Sequence, residues 1–153
     1  MKHPIYLYRS ENSFHLFEFK SEGPNGCVSK IVEYSETATK NVYNLGFGDY
    51  NESTKEVDDF SITNNGDSLK VLATVASTVS AFLEHHPQAL IFATGSTKSR
   101  TRLYRIGISN NFPAISKDFL ILGLNKAGNW EHFVVGADYE AFLLSKNKNI
   151  FDI

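Results

Sequence analysis

The least average stretch of this sequence is Gly95-Ser96-Thr97-Lys98-Ser99-Arg100-Thr101-Arg102-Leu103-Tyr104-Arg105. Four hydroxyl side chains (Ser96, Thr97, Ser99, Thr101) and four cations (Lys98, Arg100, Arg102, Arg105) fall in close succession there. Hydroxyls, guanidinium forks and an ammonium are the donors that hold a phosphate or another oxyanion. The candidate anion-binding residues are therefore Gly95, Ser96, Thr97, Lys98, Arg100, Arg102 and Arg105. Tyr104 between two arginines adds a possible stacking ring for a nucleobase. The run is no P-loop, which needs two glycines at fixed spacing before Gly-Lys-Ser/Thr. A second reading fits the same residues: Ser96 or Thr97 merely caps a helix, and the arginines pair with the acidic residues at 49 to 59.

Other chemistry is poorly supplied. Asp49, Asp58, Asp59 and Asp67 could gather around a divalent cation, but their spacing matches no calcium loop. His85-His86 suits the negative end of a helix, and His3, His15 and His132 are isolated in sequence. We therefore expect neither a metal nor a cofactor. Cys27 is the only cysteine, which excludes an intrachain disulfide and a cysteine-based zinc cluster. No sequence signal sets it, or any serine, beside a base.

The elements that must position the basic run can be read from periodicity. Ala89 to Thr94 is a short apolar run bounded by Pro87 and Gly95, as expected of a central strand, and a helix should start at Ser96 or Thr97 and end near Ser109-Asn110-Asn111, before Pro113. This places the basic residues at the start of a helix, where free N–H groups favour an anion. On that helix Leu103 and Ile106 lie on one flank and Lys98, Arg102 and Arg105 on another. Upstream, Leu69, Leu72, Val75, Ala76, Val79, Phe82 and Leu83 recur every three or four residues after the capping-rich Thr63-Asn64-Asn65-Gly66-Asp67, predicting the main structural helix.

Strands are expected over Phe14 to Phe19, Val28 to Tyr34, and Asn41 to Gly48, with the turn Ser-Glu-Gly-Pro-Asn-Gly at 21 to 26 between the first two. The third has Tyr43, Leu45 and Phe47 on one face and a nearly bare second face, against which another backbone or a helix could lie. An acidic loop should cover 49 to 59, followed by a short strand around Phe60 and Ile62. Asp118 to Leu124 and Asn129 to Val135 flank Asn125-Lys126-Ala127-Gly128 as a hairpin. A short last helix is expected from about Asp138 to Ser145, with Tyr139, Phe142 and Leu143 inward, and Ile150 and Phe151 could dock. The order predicts an α+β fold: one mainly antiparallel sheet packed against a long central helix, with a second, basic helix and a short C-terminal helix.

Composition bounds the rest. The 153 residues suit a single domain over 1–153 able to bury roughly two-thirds of its unfolded surface. With 42% hydrophobic and 21% charged residues it should fold. The net charge of -2 hides a segregation. Residues 1 to 84 carry 7 Lys and Arg against 12 Asp and Glu, whereas residues 85 to 117 carry 5 against none. The overall negative charge argues against a general nucleic-acid binder, though a nucleic acid stays among the possible partners. No apolar run approaches the ~20 residues of a membrane span and no export signal is visible, so no membrane partner and a cytoplasmic setting are expected.

The runs Asn41-Val42-Tyr43-Asn44-Leu45-Gly46-Phe47-Gly48-Asp49, Asn64-Asn65-Gly66-Asp67 and Gly95 to Arg105, with Glu22-Gly23-Pro24 and Tyr139, resemble a family of small bacterial proteins classed as a domain of unknown function. The resemblance spans nearly the whole chain. It implies a complete single domain and supplies no catalytic residue. Three functions stay open on the sequence: a binding module whose residues 95 to 105 engage a phosphate-bearing ligand or an acidic protein; a structural or homo-oligomeric interaction protein; and a small toxin-like enzyme acting on RNA or nucleotides, with Asp49 or Asp67 as base.

Overall fold

The computed structural model describes residues 3–51, 53–54, 56–58 and 65–148. The fold is α+β. Strands β1 (Tyr8–Ser10), β2 (Leu16–Gly23), β3 (Gly26–Glu36) and β4 (Val42–Asn51) form an antiparallel meander, and β5 (Glu56–Asp58) folds back on the end of β4. Helix α1 (Ser68–His85) then carries the chain to β6 (Leu90–Ala93), which lies parallel to β4. Helices α2 (Lys98–Asn110) and α3 (Phe112–Asp118) precede β7 (Leu120–Leu124), β8 (Trp130–His132) and β9 (Ala141–Ser145). The sheet order is β1-β2-β3-β4-β6-β9-β7-β8.

One face of this sheet holds the core. Phe17, Phe19, Val32, Tyr34, Leu45, Phe47, Ile91, Phe142 and Leu144 point to the helices and meet Val71, Val75, Val79, Phe82 and Leu83 of α1 and Tyr104 and Ile108 of α2. The predicted apolar stripe of α1 is buried from Leu72 onward, but Leu69 is 57% exposed. Asp67 occupies the N-cap position without capping; its carboxylate takes hydrogen bonds from Tyr6 and Ser21 instead.

Two expectations are corrected. The short C-terminal helix is strand β9, buried along its whole length between β6 and β7. Tyr139, Phe142 and Leu143 have helical spacing, but Ala-Phe-Leu-Leu-Ser is also a short continuous apolar run. With apolar neighbours on both sides, pairing as a central strand satisfies its backbone and covers both its faces. Second, residues 49 to 59 are no plain loop, because β4 continues to Asn51 and β5 pairs with it. On the sparse face of β4, Gly46 is open, an added Cβ there meeting only the Glu33 carbonyl oxygen at 3.8 Å, whereas Gly48 is buried. A further helix, α3, starts with Pro113 in its first turn, a position where proline's missing N–H costs nothing. The expected strand around Phe60 and Ile62, and the docking of Ile150 and Phe151, lie outside the described residues.

Candidate functional site

Strand β6 delivers the basic run to one end of the sheet. Past Ala93 the chain turns sharply through Thr94-Gly95-Ser96 into α2, and Gly95 is what makes the turn possible. A Cβ there would strike the Arg100 Cβ and the Thr101 amide nitrogen, and would fall 2.6 Å from the Arg100 carbonyl carbon. The Gly95 amide donates to Thr101 Oγ1 at 3.0 Å, and that hydroxyl donates to the Thr97 carbonyl at 3.2 Å. Thr97 is the helix cap, its side chain accepting from the Arg100 amide at 3.2 Å. Thr97 and Thr101 thus hold the turn. The Lys98 and Ser99 amides precede the first intrahelical acceptor.

Beside this turn opens a cleft of about 690 Å³, lined by Thr94, Gly95, Ser96, Thr97, Lys98, Thr101, Arg102, Arg105, Lys126, Asp138, Tyr139 and Glu140. Three segments make its walls. Helix α2 brings Lys98, Arg102 and Arg105 on one flank, since positions i, i+4 and i+7 share a helix face. The β7–β8 hairpin brings Lys126. Its loop is held by Asn125, whose side-chain oxygen accepts from the Ala127 and Asn129 amides at 3.0 Å each and whose amide nitrogen donates to Glu131 at 2.7 Å. Asp138, Tyr139 and Glu140 lead into β9, which runs beside β6, and Thr94 Oγ1 donates to the Glu140 carbonyl at 3.0 Å across that junction.

The cleft lining holds the cations Lys98, Arg102, Arg105 and Lys126 and the acids Asp138 and Glu140. Among the described residues no carboxylate lies within ion-pair distance of Lys98, Arg102 or Lys126, and all three are exposed. Arg105 is the exception, with its Nη1 3.8 Å from the Asp138 carboxylate. Among the described residues Arg102 and Arg105 have no partner from the acidic residues at 49 to 59; the side chains of Glu52, Glu56, Asp58 and Asp59 lie outside what is described, so the pairing expected of Arg100 is not among the described contacts. Asp49 binds the buried Lys30, and the described acids that approach α2 come instead from residues 138 to 140.

Two residues of the basic run point elsewhere. Arg100 is 3% exposed, with its guanidinium carbon 5.0 Å over the Phe47 ring, and does not line the cleft. Tyr104 is buried as well, its hydroxyl 3.5 Å from the Leu45 carbonyl, and its ring offers no open face for a base. The reason is a rotation of the helix relative to the sequence expectation. Arg100, Tyr104, Gly107 and Ile108 form the buried flank, and Leu103 and Ile106 are only half-buried. Gly107 faces Leu72 of α1, where an added Cβ would sit at an ordinary contact distance of 3.4 Å.

Lys126, Asp138 and Glu140 were not recognisable as site residues in the sequence, since they reach the cleft only through the placement of β9 between β6 and β7. Tyr139 is fixed between the acids. Its ring lies flat on Gly123, where a Cβ would fall 2.6 Å from Cε1; its hydroxyl donates to Glu131 at 3.0 Å and accepts from the Val134 amide at 3.0 Å. Burial raises the Tyr139 pKa, so this hydroxyl keeps its proton at neutral pH. Asp49 and Asp67, the candidate bases, do not line the cleft.

No helix among the described residues is long and apolar enough to cross a membrane. No curated protein and no solved structure matches the chain. The elements that build the cleft, from β6 through β9, fall within residues 2–147, which match the model of a family of unknown function (DUF6934), and the chain belongs to that family.

Proposed function

We propose that this protein is a cytoplasmic binding module whose cleft between α2 and the β8–β9 connection takes a small phosphate-bearing ligand. The observation that carries this reading is that Lys98, Arg102 and Lys126, cations from two separate elements, line one cleft and hold no carboxylate of the described residues. The lining sets Lys98, Arg102, Arg105 and Lys126 against Asp138 and Glu140, a net positive charge, and an oxyanion beside the cations lowers their mutual repulsion. Guanidinium and ammonium donors beside the first amides of a helix are chemically suited to phosphate. The volume of the cleft is within the range of small-molecule sites.

The test is a calorimetric titration of the purified protein with pyrophosphate, in parallel with Arg102→Glu. Arg102 is exposed, so the variant should keep its melting temperature while losing binding at least tenfold. A folded Arg102→Glu protein that binds pyrophosphate as the parent does would refute the assignment, and so would a parent that does not bind it.

A further inference from the structure

Resting on the reading of the cleft as an anion site, we infer that its ligand is the phosphate ester of a small polyol or sugar, with the phosphate toward Lys98 and Arg102 and hydroxyl groups toward Asp138 and Glu140. The cleft is bipolar. Its α2 wall is basic, Lys126 adds a further cation from the β7–β8 hairpin, and the segment leading into β9 carries two exposed carboxylates, of which Asp138 lies 3.8 Å from Arg105. An ionised carboxylate only accepts hydrogen bonds, so this second wall rewards a donor and repels further negative charge. A polyanion passing through the cleft would meet that repulsion; a compound with one anionic end and one donor-rich end would not.

Two further observations narrow the donor end. Arg105 already stands against Asp138, so the acid wall is partly neutralised and suits hydroxyls better than a second full cation. The only aromatic side chain among the described lining residues is Tyr139, which is 6% exposed and pinned by Glu131 and Val134. Single-stranded nucleic acids and nucleotide bases are usually held by stacking on exposed rings, and this cleft has none to give. The same contacts fix the acid wall in place, since Asp138 and Glu140 flank Tyr139 in sequence.

Calorimetry with inorganic phosphate, ribose 5-phosphate and a ten-nucleotide single-stranded DNA distinguishes the cases, using the parent, Arg102→Ala and the double variant Asp138→Asn with Glu140→Gln. Both acids are exposed, so the double variant should fold as the parent does. Ribose 5-phosphate should bind about tenfold or more tighter than inorganic phosphate, the worth of one or two added hydrogen bonds to charged groups. The double variant should bring the two ligands to similar affinity while Arg102→Ala weakens both. Inorganic phosphate binding as tightly as ribose 5-phosphate would overturn the inference and leave the anion site standing. Tighter binding of the oligonucleotide would overturn it in favour of a nucleic acid. Failure of all three probes to bind would remove the anion site itself.

Discussion

Arg100 and Arg102 are two residues apart on α2 and face opposite environments. Arg100 lies buried with its guanidinium over Phe47, and Arg102 is exposed in the cleft. The two should therefore separate stability from binding. Arg100→Met removes a buried cation–ring contact and should lower unfolding stability by about 2 kcal/mol or more, measured by urea denaturation. Arg102→Met should stay within about 0.5 kcal/mol of the parent, as exposed substitutions usually do. Equal losses in the two variants would mean that Arg102 is structural and the cleft is not held open for a ligand.

Gly95→Ala should distort the turn that frames the cleft. The new Cβ meets main-chain atoms of Arg100 and Thr101, which cannot yield as a flexible side chain would. Overpacking of this kind costs about 1–3 kcal/mol. Gly128→Ala makes a useful contrast: its φ of +87° strains an alanine, but a Cβ there meets nothing within 4 Å. It should cost only about 1 kcal/mol and leave the α2 side of the cleft intact. Comparing pyrophosphate binding in the two variants, each well below its melting point, checks this. Unimpaired binding in Gly95→Ala would contradict the role given to the turn.

How far the sequence could reach is clear from α2. Its start, its end and the common flank of Lys98, Arg102 and Arg105 follow from capping residues and a 3.6-residue period. Its rotation does not. Arg100, Tyr104, Gly107 and Ile108 also follow a helical stripe, but a stripe containing an arginine and a glycine carries a weak hydropathy signal beside Leu103 and Ile106. What decides between them is tertiary: Gly107 and Ile108 are buried on the same flank, Gly107 against Leu72 of α1, and Phe47 offers Arg100 a ring to cover. The acid wall was hidden for a similar reason. Residues 141 to 145 suit a helix or a central strand equally by pattern, and only pairing with both β6 and β7 selects the strand.

Tyr34 makes stability fall at alkaline pH. It is buried beneath Phe82, and burial raises its pKa far above the ordinary value of 10; the hydrogen bond with Thr78, 2.9 Å, offsets this only in part. Above pH 10 the unfolded chain releases this proton and the folded chain keeps it. The folded state then binds more protons, so stability is complete below about pH 10 and declines as pH rises, by at most about 1.4 kcal/mol per unit for each such tyrosine. Tyr6 and Tyr139 are shifted in the same direction and share in the decline. Urea unfolding at pH 9 and pH 11 should give a visibly shallower loss in Tyr34→Phe than in the parent. An unchanged slope would show that Tyr34 ionises in the folded protein without penalty.

Asp67 ties the entry to α1 to the far end of the meander, and its loss should be felt at both. Its carboxylate accepts from the Tyr6 hydroxyl and from Ser21 at 2.6 Å, and Ser21 in turn accepts from Asn65 at 3.2 Å. Asn65 also reaches the Gly26 carbonyl at 2.9 Å and takes the Asn25 amide at 2.7 Å, so the β2–β3 turn rests on the segment before the helix. Gly23 permits that approach, because a Cβ there would strike the Asn65 backbone. Asp67→Ala removes the acceptor of Ser21 and leaves Tyr6 only the Glu22 carbonyl at 3.3 Å, and should cost about 2 kcal/mol, whereas Asp67→Asn keeps an acceptor oxygen and should cost less. If the carboxylate acts through Tyr6, Asp67→Ala and Tyr6→Phe should be non-additive, with a coupling of about 1 kcal/mol in a double-mutant cycle. Strict additivity would mean that Asp67 supports the helix start alone. Because Asp67 does not line the cleft, the affinity for pyrophosphate should be the same in Asp67→Asn as in the parent.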